Sequence, residues 1–171
     1  LRVESARDGF IWAQEYVRGK PITGVTKVGP AHGRRGTRTV FRADHEMFET
    51  LDYSFETIAQ RLRESAYLNK GVWIRFVDER ADRERSFYFE GGLVSFVRHL
   101  NRNKEALHNR PIYCERRDGS TTIEVALQYN DTYAENVLAF ANNINTVDGG
   151  THITGFRRAL TRSLNEWAKR A

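Results

Sequence analysis

Few side chains in this sequence are spaced for covalent or metal chemistry. The five histidines stand at positions 32, 45, 99, 108 and 152, none with a cysteine or carboxylate at the spacing of a metal site. Each therefore reads as a surface histidine or one satisfied inside the fold. Cys114 is the single cysteine, so no internal disulfide can form, in keeping with a reducing compartment. No nucleophile-elbow serine, phosphate-cradling P-loop or dinucleotide glycine fingerprint is present. What remains is charge. From His152 onward the chain carries Arg157, Arg158, Arg162, Lys169 and Arg170 against Glu166 alone. Guanidinium and ammonium groups gathered in this way neutralise phosphates. Arg158 and Arg162 are four apart, which makes them neighbours on a helix.

These groups sit in a chain of 171 residues with a net charge of +5, long enough for one good core or two small ones. Residues 1–90 hold 16 Lys and Arg against 14 Asp and Glu, and residues 91–171 hold 11 against 8. The basic balance is a mild pointer to an anionic partner. No stretch approaches the roughly 18 consecutive apolar residues of a membrane helix, and neither end resembles a signal peptide, so a cytoplasmic address and no membrane partner are expected. Both ends read as interrupted elements, a strand at Leu1 and a helix at Ala171, and the chain is expected to be part of a larger protein.

The elements that must position the charges follow from turn signals and periodicity. Asp8-Gly9 separates two strand-like runs, Leu1–Ala6 and Phe10–Tyr16, the strongest short-range hairpin signal. A loop rich in turn formers is expected from Gly19 to Gly36, then a strand at Thr37–Arg42. From Ser54 the period becomes helical, with Phe55, Ile58, Ala59, Leu62 and Ala66 on one face and Asn69-Lys70-Gly71 as its stop. Val72–Asp78 and Glu84–Phe89 read as antiparallel strands. Gly91-Gly92 is a candidate joint between domains, opening a helix with Leu93, Phe96, Val97 and Leu100 on one side. Asp118-Gly119 marks a second hairpin between Pro111–Arg117 and Thr121–Tyr129. In its second strand Ile123, Val125, Leu127 and Tyr129 are expected inward, Glu124 and Gln128 outward. The run Glu135–Ala141 leads into a polar loop ending at Gly150. A last helix is expected to bury Ile153, Phe156, Leu160, Leu164 and Trp167. The class is α+β.

Several strings, in order, resemble one family. They are Phe48-Glu-Thr and Arg61-Leu-Arg-Glu-Ser-Ala-Tyr-Leu-Asn-Lys-Gly71, then Phe89-Glu-Gly-Gly-Leu and Leu100-Asn-Arg-Asn-Lys104. The most specific are Val125-Ala-Leu-Gln-Tyr-Asn-Asp131 and Phe140-Ala-Asn-Asn-Ile-Asn-Thr-Val-Asp-Gly-Gly-Thr-His152, followed by Gly155-Phe-Arg157. The chain resembles the B subunits of bacterial type II topoisomerases, gyrase first and topoisomerase IV as the alternative. The resemblance implies the end of a GHKL-type ATPase α/β sandwich over residues 1–90. Over residues 91–171 it implies the start of a transducer domain with a left-handed β-α-β unit, which general topology would not suggest. It also implies an enzyme that hydrolyses ATP, with Mg2+, to close a clamp and pass one DNA duplex through another. Its partners would be DNA, the gyrase A subunit and a second B subunit.

Residue by residue, the resemblance places Thr37 and Thr39 beside the adenine end of ATP and Arg7 at the rim of that pocket. In the family Thr39 is usually a valine or isoleucine. Arg157, supported by Arg158 and Arg162, would face the cavity through which DNA passes. The catalytic glutamate and the Mg2+-binding asparagine are expected upstream of Leu1, so no catalytic or metal-binding residue is assigned within the chain. Residues 1–90, as part of a larger sheet, are expected to leave an unpaired edge. Two rival readings stand beside this one. A non-catalytic nucleic-acid-binding module would set aromatic and basic residues together on one sheet face; a purely structural or dimerisation domain would not bind DNA at low salt.

Overall fold

Asp8 and Gly9 both take positive φ, 52° and 80°, as a two-residue hairpin turn requires. The turn folds β1 (Arg2–Arg7) against β2 (Phe10–Val17), with Arg7 opposite Phe10. Arg18 and Gly19 repeat the same geometry, at 50° and 78°, and return the chain as β3 (Lys20–Pro21). β4 (Thr26–Pro30) continues along the same edge of β2, with a bulge opposite Ile11 and Trp12. β5 (Gly36–Val40) pairs with the other edge of β1.

The expected loop from Gly19 to Gly36 thus contains two strands. Glycine and proline dominate its punctuation, yet Val25, Thr26 and Val28 between them are β-branched, a shape that suits a strand. The expected unpaired edges of this sheet fall at β5 and at β3 with β4. β1 is not an edge: both its sides are bonded, to β2 and to β5. Ala13 and Ala31 are buried against this sheet, and the Ala31 N–H donates to the Gly9 carbonyl at 2.8 Å.

Ser54 starts α1 (Phe55–Leu68), its hydroxyl accepting from the Thr57 N–H at 3.3 Å. That cap is worth about 1 kcal/mol. The expected apolar stripe is present: Phe55, Ala59 and Ala66 are buried, and Ile58 and Leu62 half-buried. The helix stops because the Asn69 side chain donates back to the Ser65 carbonyl at 2.7 Å. Gly71, at φ 76°, turns the chain away. β6 (Ile74–Asp78) and β7 (Arg83–Phe87) form an antiparallel pair under this helix, β6 within the expected strand and β7 starting one residue before the expected one. Their core joins Phe55, Ala59, Ala66 and Phe87 with Leu62, Ile74, Phe76 and Phe89.

α2 (Gly92–Leu100) begins at the glycine pair. Gly92 holds φ 51°, and a Cβ there would lie 2.5 Å from the Lys70 side chain. Asp118-Gly119 joins β8 (Ile112–Asp118) to β9 (Thr121–Leu127) as expected. β10 (Phe140–Ala141) and β11 (Ile144–Asn145) close on Asn142 and Asn143, both at positive φ. α3 (Thr151–Ala168) follows.

Two burial patterns depart from the sequence reading. In β9 Ile123 is exposed, as is Tyr129 beyond it, while Glu124 is half-buried because its carboxylate holds Lys70 at 3.0 Å. In α3 Ile153, Phe156 and Leu160 are half-buried, but Leu164 is 50% exposed and Trp167 69%. The expected stripe is there in spacing but covered only along its first half.

The structure describes residues 1–170 of this computed structural model. Packing divides the chain into Leu1–Tyr53 and Ser54–Ala171, so α1 and α2 lie in one unit. The α+β class is as expected. All ladders between described strands are antiparallel. A β-α-β unit needs a parallel pair, so that unit is not formed among these residues.

Two expected outcomes follow from these pairings. With both edges bonded, the amides of β1 should exchange with deuterium more slowly than those of β9, which is bonded only to β8. Equal or faster exchange in β1 would contradict the five-stranded sheet. The second concerns Asp78, whose carboxyl is lowered to about 2 chiefly by the Arg80 guanidinium at 2.8 Å. A depressed carboxyl stabilises the fold above its unfolded value of about 3.9, and that contribution is lost as pH falls through about 2. A carbon-detected titration should show this midpoint, and Arg80→Gln should return it toward about 4.

Candidate functional site

Cross-strand partners share a sheet face, so the registers decide which residues of the first unit meet. Ser5 lies opposite both Trp12 and Thr37, Val3 opposite Thr39 and Gln14, and Arg7 opposite Phe10. Arg7, Thr37 and Thr39, chosen from three separate points in the sequence reading, therefore stand on one face. Thr37 and Thr39 are two apart on β5, about 7 Å along the strand, and both are exposed. Each hydroxyl can donate one hydrogen bond and accept others. Arg7 reaches Asp8 at 3.5 Å but keeps 73% of its side chain exposed, so its guanidinium is open to another anion.

The same face carries aromatic residues that the sequence reading left unassigned. Phe10 and Trp12 are each 38% exposed, and the Lys27 ammonium sits 2.9 Å from the centre of the Phe10 ring. Strand alternation from the Asp8-Gly9 turn was the signal that could have grouped them with Arg7.

A nucleotide would find two hydroxyls and one guanidinium on this open face. Among the described residues no three His, Cys, Asp or Glu converge to hold a metal ion. These residues present groups that can hydrogen-bond or pair with a ligand, and no chemical step can be derived from them.

In the second unit the basic residues of α3 lie along one flank. Arg157, Arg158, Arg162 and Lys169 share it with Thr161, Asn165 and Glu166. Arg158, Arg162 and Lys169 lie opposite the stripe of Ile153, Phe156 and Leu160, and Arg157 borders it, four residues after Ile153 and three before Leu160. Arg157 projects away from the half-buried Phe156 and pairs with Glu135 at 2.9 Å, both largely exposed. Sequence reasoning missed Glu135, which lies 22 positions away with no periodic link to the helix. Arg158 and Arg162 have no carboxylate within ion-pair distance among the described residues.

Two other polar clusters are structural. His108 accepts at Nε2 from the Tyr129 N–H at 3.0 Å, and its Nδ1 lies 2.7 Å from the Arg110 carbonyl. Those partners define the neutral tautomer with the proton on Nδ1, which fits the expectation of a satisfied histidine. His99, held in a tilted contact with Tyr67, has its pKa lowered by burial and by Arg102 and Arg63. Lys70 donates to the Tyr113 hydroxyl at 2.8 Å and pairs with Glu124; these bonds raise its pKa and tie the end of α1 to the β8–β9 hairpin.

Comparison with known proteins gives consistent results along the chain. A family model described as DNA gyrase B matches residues 92–171. A DNA gyrase B subunit from Clostridium acetobutylicum is 50% identical over 98% of this chain. One from Archaeoglobus fulgidus is 46% identical over 99% of it, and the B subunit of DNA topoisomerase 4 from Bacillus subtilis is 44% identical over 99%. The chain spans about a quarter of the length of these curated relatives, 26% to 27%. Among solved structures, the 43K ATPase domain of Thermus thermophilus gyrase B, crystallised with an aminocoumarin, superposes with a TM-score of 0.82. It is 35% identical, and the match covers 99% of this chain and 46% of that one.

Proposed function

We propose that this chain, which belongs to the DNA gyrase B family, contributes one wall of a nucleotide pocket and one DNA-facing helix to an ATP-dependent type II topoisomerase. The observation that carries the first half is the meeting of Arg7, Thr37 and Thr39 on one face of the five-stranded sheet. The second half is supported by α3, whose exposed Arg157, Arg158 and Arg162 lie along one flank, Arg158 and Arg162 opposite the apolar stripe and Arg157 at its border. The parent enzyme would bind ATP with Mg2+, its metal ligands and general base coming from other residues. It would work with DNA, a gyrase A subunit and a second B subunit, in the cytoplasm. No helix here is long and apolar enough to cross a membrane.

On this reading residues 1–90 belong to the GHKL-type ATPase domain and residues 91–171 to the transducer. The packing of α1 on α2 within one unit then carries movement across the Gly91-Gly92 joint. Topoisomerase IV is the second reading, favoured by the 44% identity to the Bacillus subtilis protein.

Phosphate contacts position DNA without reading its sequence, which suits an enzyme that must transport any segment. In the parent enzyme Arg157→Gln should lower DNA-stimulated ATP hydrolysis and strand passage. It should also flatten the salt dependence of DNA binding by about 0.9 in the log–log slope. Glu135→Gln should act oppositely at low salt, since it releases Arg157 from its carboxylate. Thr37→Ala should weaken nucleotide binding about five- to tenfold, the worth of one hydrogen bond, with little change in the DNA salt slope. An Arg157 variant that lost nucleotide affinity and passed DNA normally would move that residue to the nucleotide site.

A further inference from the structure

The densest positive charge in the chain lies outside α3. Between Glu15 and Asp44 there is no acidic residue, while seven basic ones occur, five of them arginine: Arg18, Arg34, Arg35, Arg38 and Arg42, with Lys20 and Lys27. Taking charge by halves of the chain conceals this run, because acids on either side offset it. Arg18 is paired, with Asp44 and Glu46.

The fold gathers several of the others. The β4–β5 connection is pinned to the β1–β2 turn by the Ala31–Gly9 hydrogen bond of 2.8 Å, and Ala31 is fully buried beneath it. Arg34 and Arg35 are thus fixed beside Arg7 at one end of the sheet, and Arg38 and Lys27 are attached within a few residues of that end. Asp8 is the carboxylate at that turn, 83% exposed and 3.5 Å from Arg7. Arg34 donates weakly to the Ala31 carbonyl at 3.4 Å, and Arg35 has no carboxylate within ion-pair distance among the described residues. Gly33 and Gly36, at φ 76° and 139°, flank the arginine pair. They let its backbone present both side chains outward.

We propose that this sheet end is a second duplex-DNA surface, independent of α3, with Arg34 and Arg35 as its principal phosphate contacts. Like charges held this close repel each other in the free chain, and an anion relieves that repulsion. Guanidinium forks bind phosphate bidentately, which accounts for arginine rather than lysine in the turn. The exposed Phe10 ring at this end lies under the Lys27 ammonium, so the surface there is cationic, unlike the apolar pockets that anchor a protein partner. A duplex needs only a row of such contacts. The choice of duplex rests on the proposed reading of the parent as a DNA-handling enzyme; the surface itself does not.

The test is fluorescence anisotropy of a short labelled duplex titrated with the 171-residue chain across a salt series. The variants are Arg34→Gln with Arg35→Gln, Arg34→Lys with Arg35→Lys, and the glutamine triple at positions 157, 158 and 162. The log–log salt slope should fall by about 1.8 in the Arg34/Arg35 glutamine pair, about 0.9 for each phosphate no longer neutralised. It should be nearly retained in the lysine pair, and fall further when the glutamine pair is combined with the α3 triple. An unchanged slope in the glutamine pair, with loss only in the triple, would overturn the second surface and leave the α3 reading intact. Loss only in the pair would uphold the surface and remove α3 from DNA binding. Binding of a labelled acidic peptide as tightly as the duplex, with the same dependence on Arg34 and Arg35, would overturn DNA as the partner.

Discussion

The second unit depends on where the Tyr67 ring is held. It lies stacked between Phe89, 3.7 Å away centre to centre, and Phe96, 4.7 Å away on α2. Such aromatic pairs contribute about 0.5–1.5 kcal/mol each beyond the area they bury. Tyr67 is 4% exposed, and burial raises its phenol pKa. Because the three rings come from the end of α1, the segment after β7 and the middle of α2, one stack fixes the angle between two helices and the strand pair. Phe140, 6.4 Å from Phe96, extends it toward β10. A change in the direction of α2 must shear this stack or carry α1 with it, since close-packed cores do not deform smoothly. Backbone freedom at Gly92, where φ is 51°, is confined by the Lys70 stem lying over it and by the aromatic rings beneath.

How much of this was legible in the sequence depended on whether the signal was local. The two Asp-Gly turns set hairpins correctly because the dipeptide itself prefers the required geometry. α1 followed from its period and its Ser54 cap. β3 and β4 were hidden because their pairing with β2, interrupted by a bulge in the case of β4, depends on a partner edge that no local pattern reports. β9 misled for a related reason. Strict alternation assumes that one face meets a core, but Glu124 is drawn partly inward by Lys70 and Tyr113, while Ile123 is left outside. The family strings pointed to the relatives this chain resembles, but not to the surroundings of the residues singled out: Glu135 beside Arg157, or Phe10 and Trp12 beside Arg7.

That last omission bears on the rival reading. A nucleic-acid-binding module would set aromatic and basic residues together on one sheet face, and β9, with aliphatic and acidic residues, does not. The face of the first sheet does set aromatic and basic groups together, with Lys27 over Phe10 and Trp12 next to them. The feature that would have favoured the rival exists, on a different sheet. It does not displace the family assignment, which rests on identity along nearly the whole chain. It does show that an ATP-binding face and a nucleic-acid-binding face can look alike, because a purine and a phosphate are recognised by the same groups in both cases.

The net charge of +5 is therefore the remainder of two different electrostatic situations. In the second unit seven of the eighteen Lys and Arg make ion pairs within the fold among the described residues. Arg75 grips Glu84 through two bonds of 2.6 and 2.7 Å, Arg83 and Arg85 share Glu56, and Arg61 holds Glu64. These exposed pairs add little stability each, but they cancel charge at short range and leave a nearly neutral surface outside α3. Around the β4–β5 connection the carboxylates are few, Asp8 against Arg7 and Glu4 3.9 Å from Arg38, so Arg34 and Arg35 produce a field instead of a pair. Field strength beyond a Debye length of about 8–10 Å depends on uncompensated charge alone, so a tally of basic residues misjudges both regions. The position of the carboxylates, more than that of the arginines, decides which surfaces of this chain can attract a polyanion.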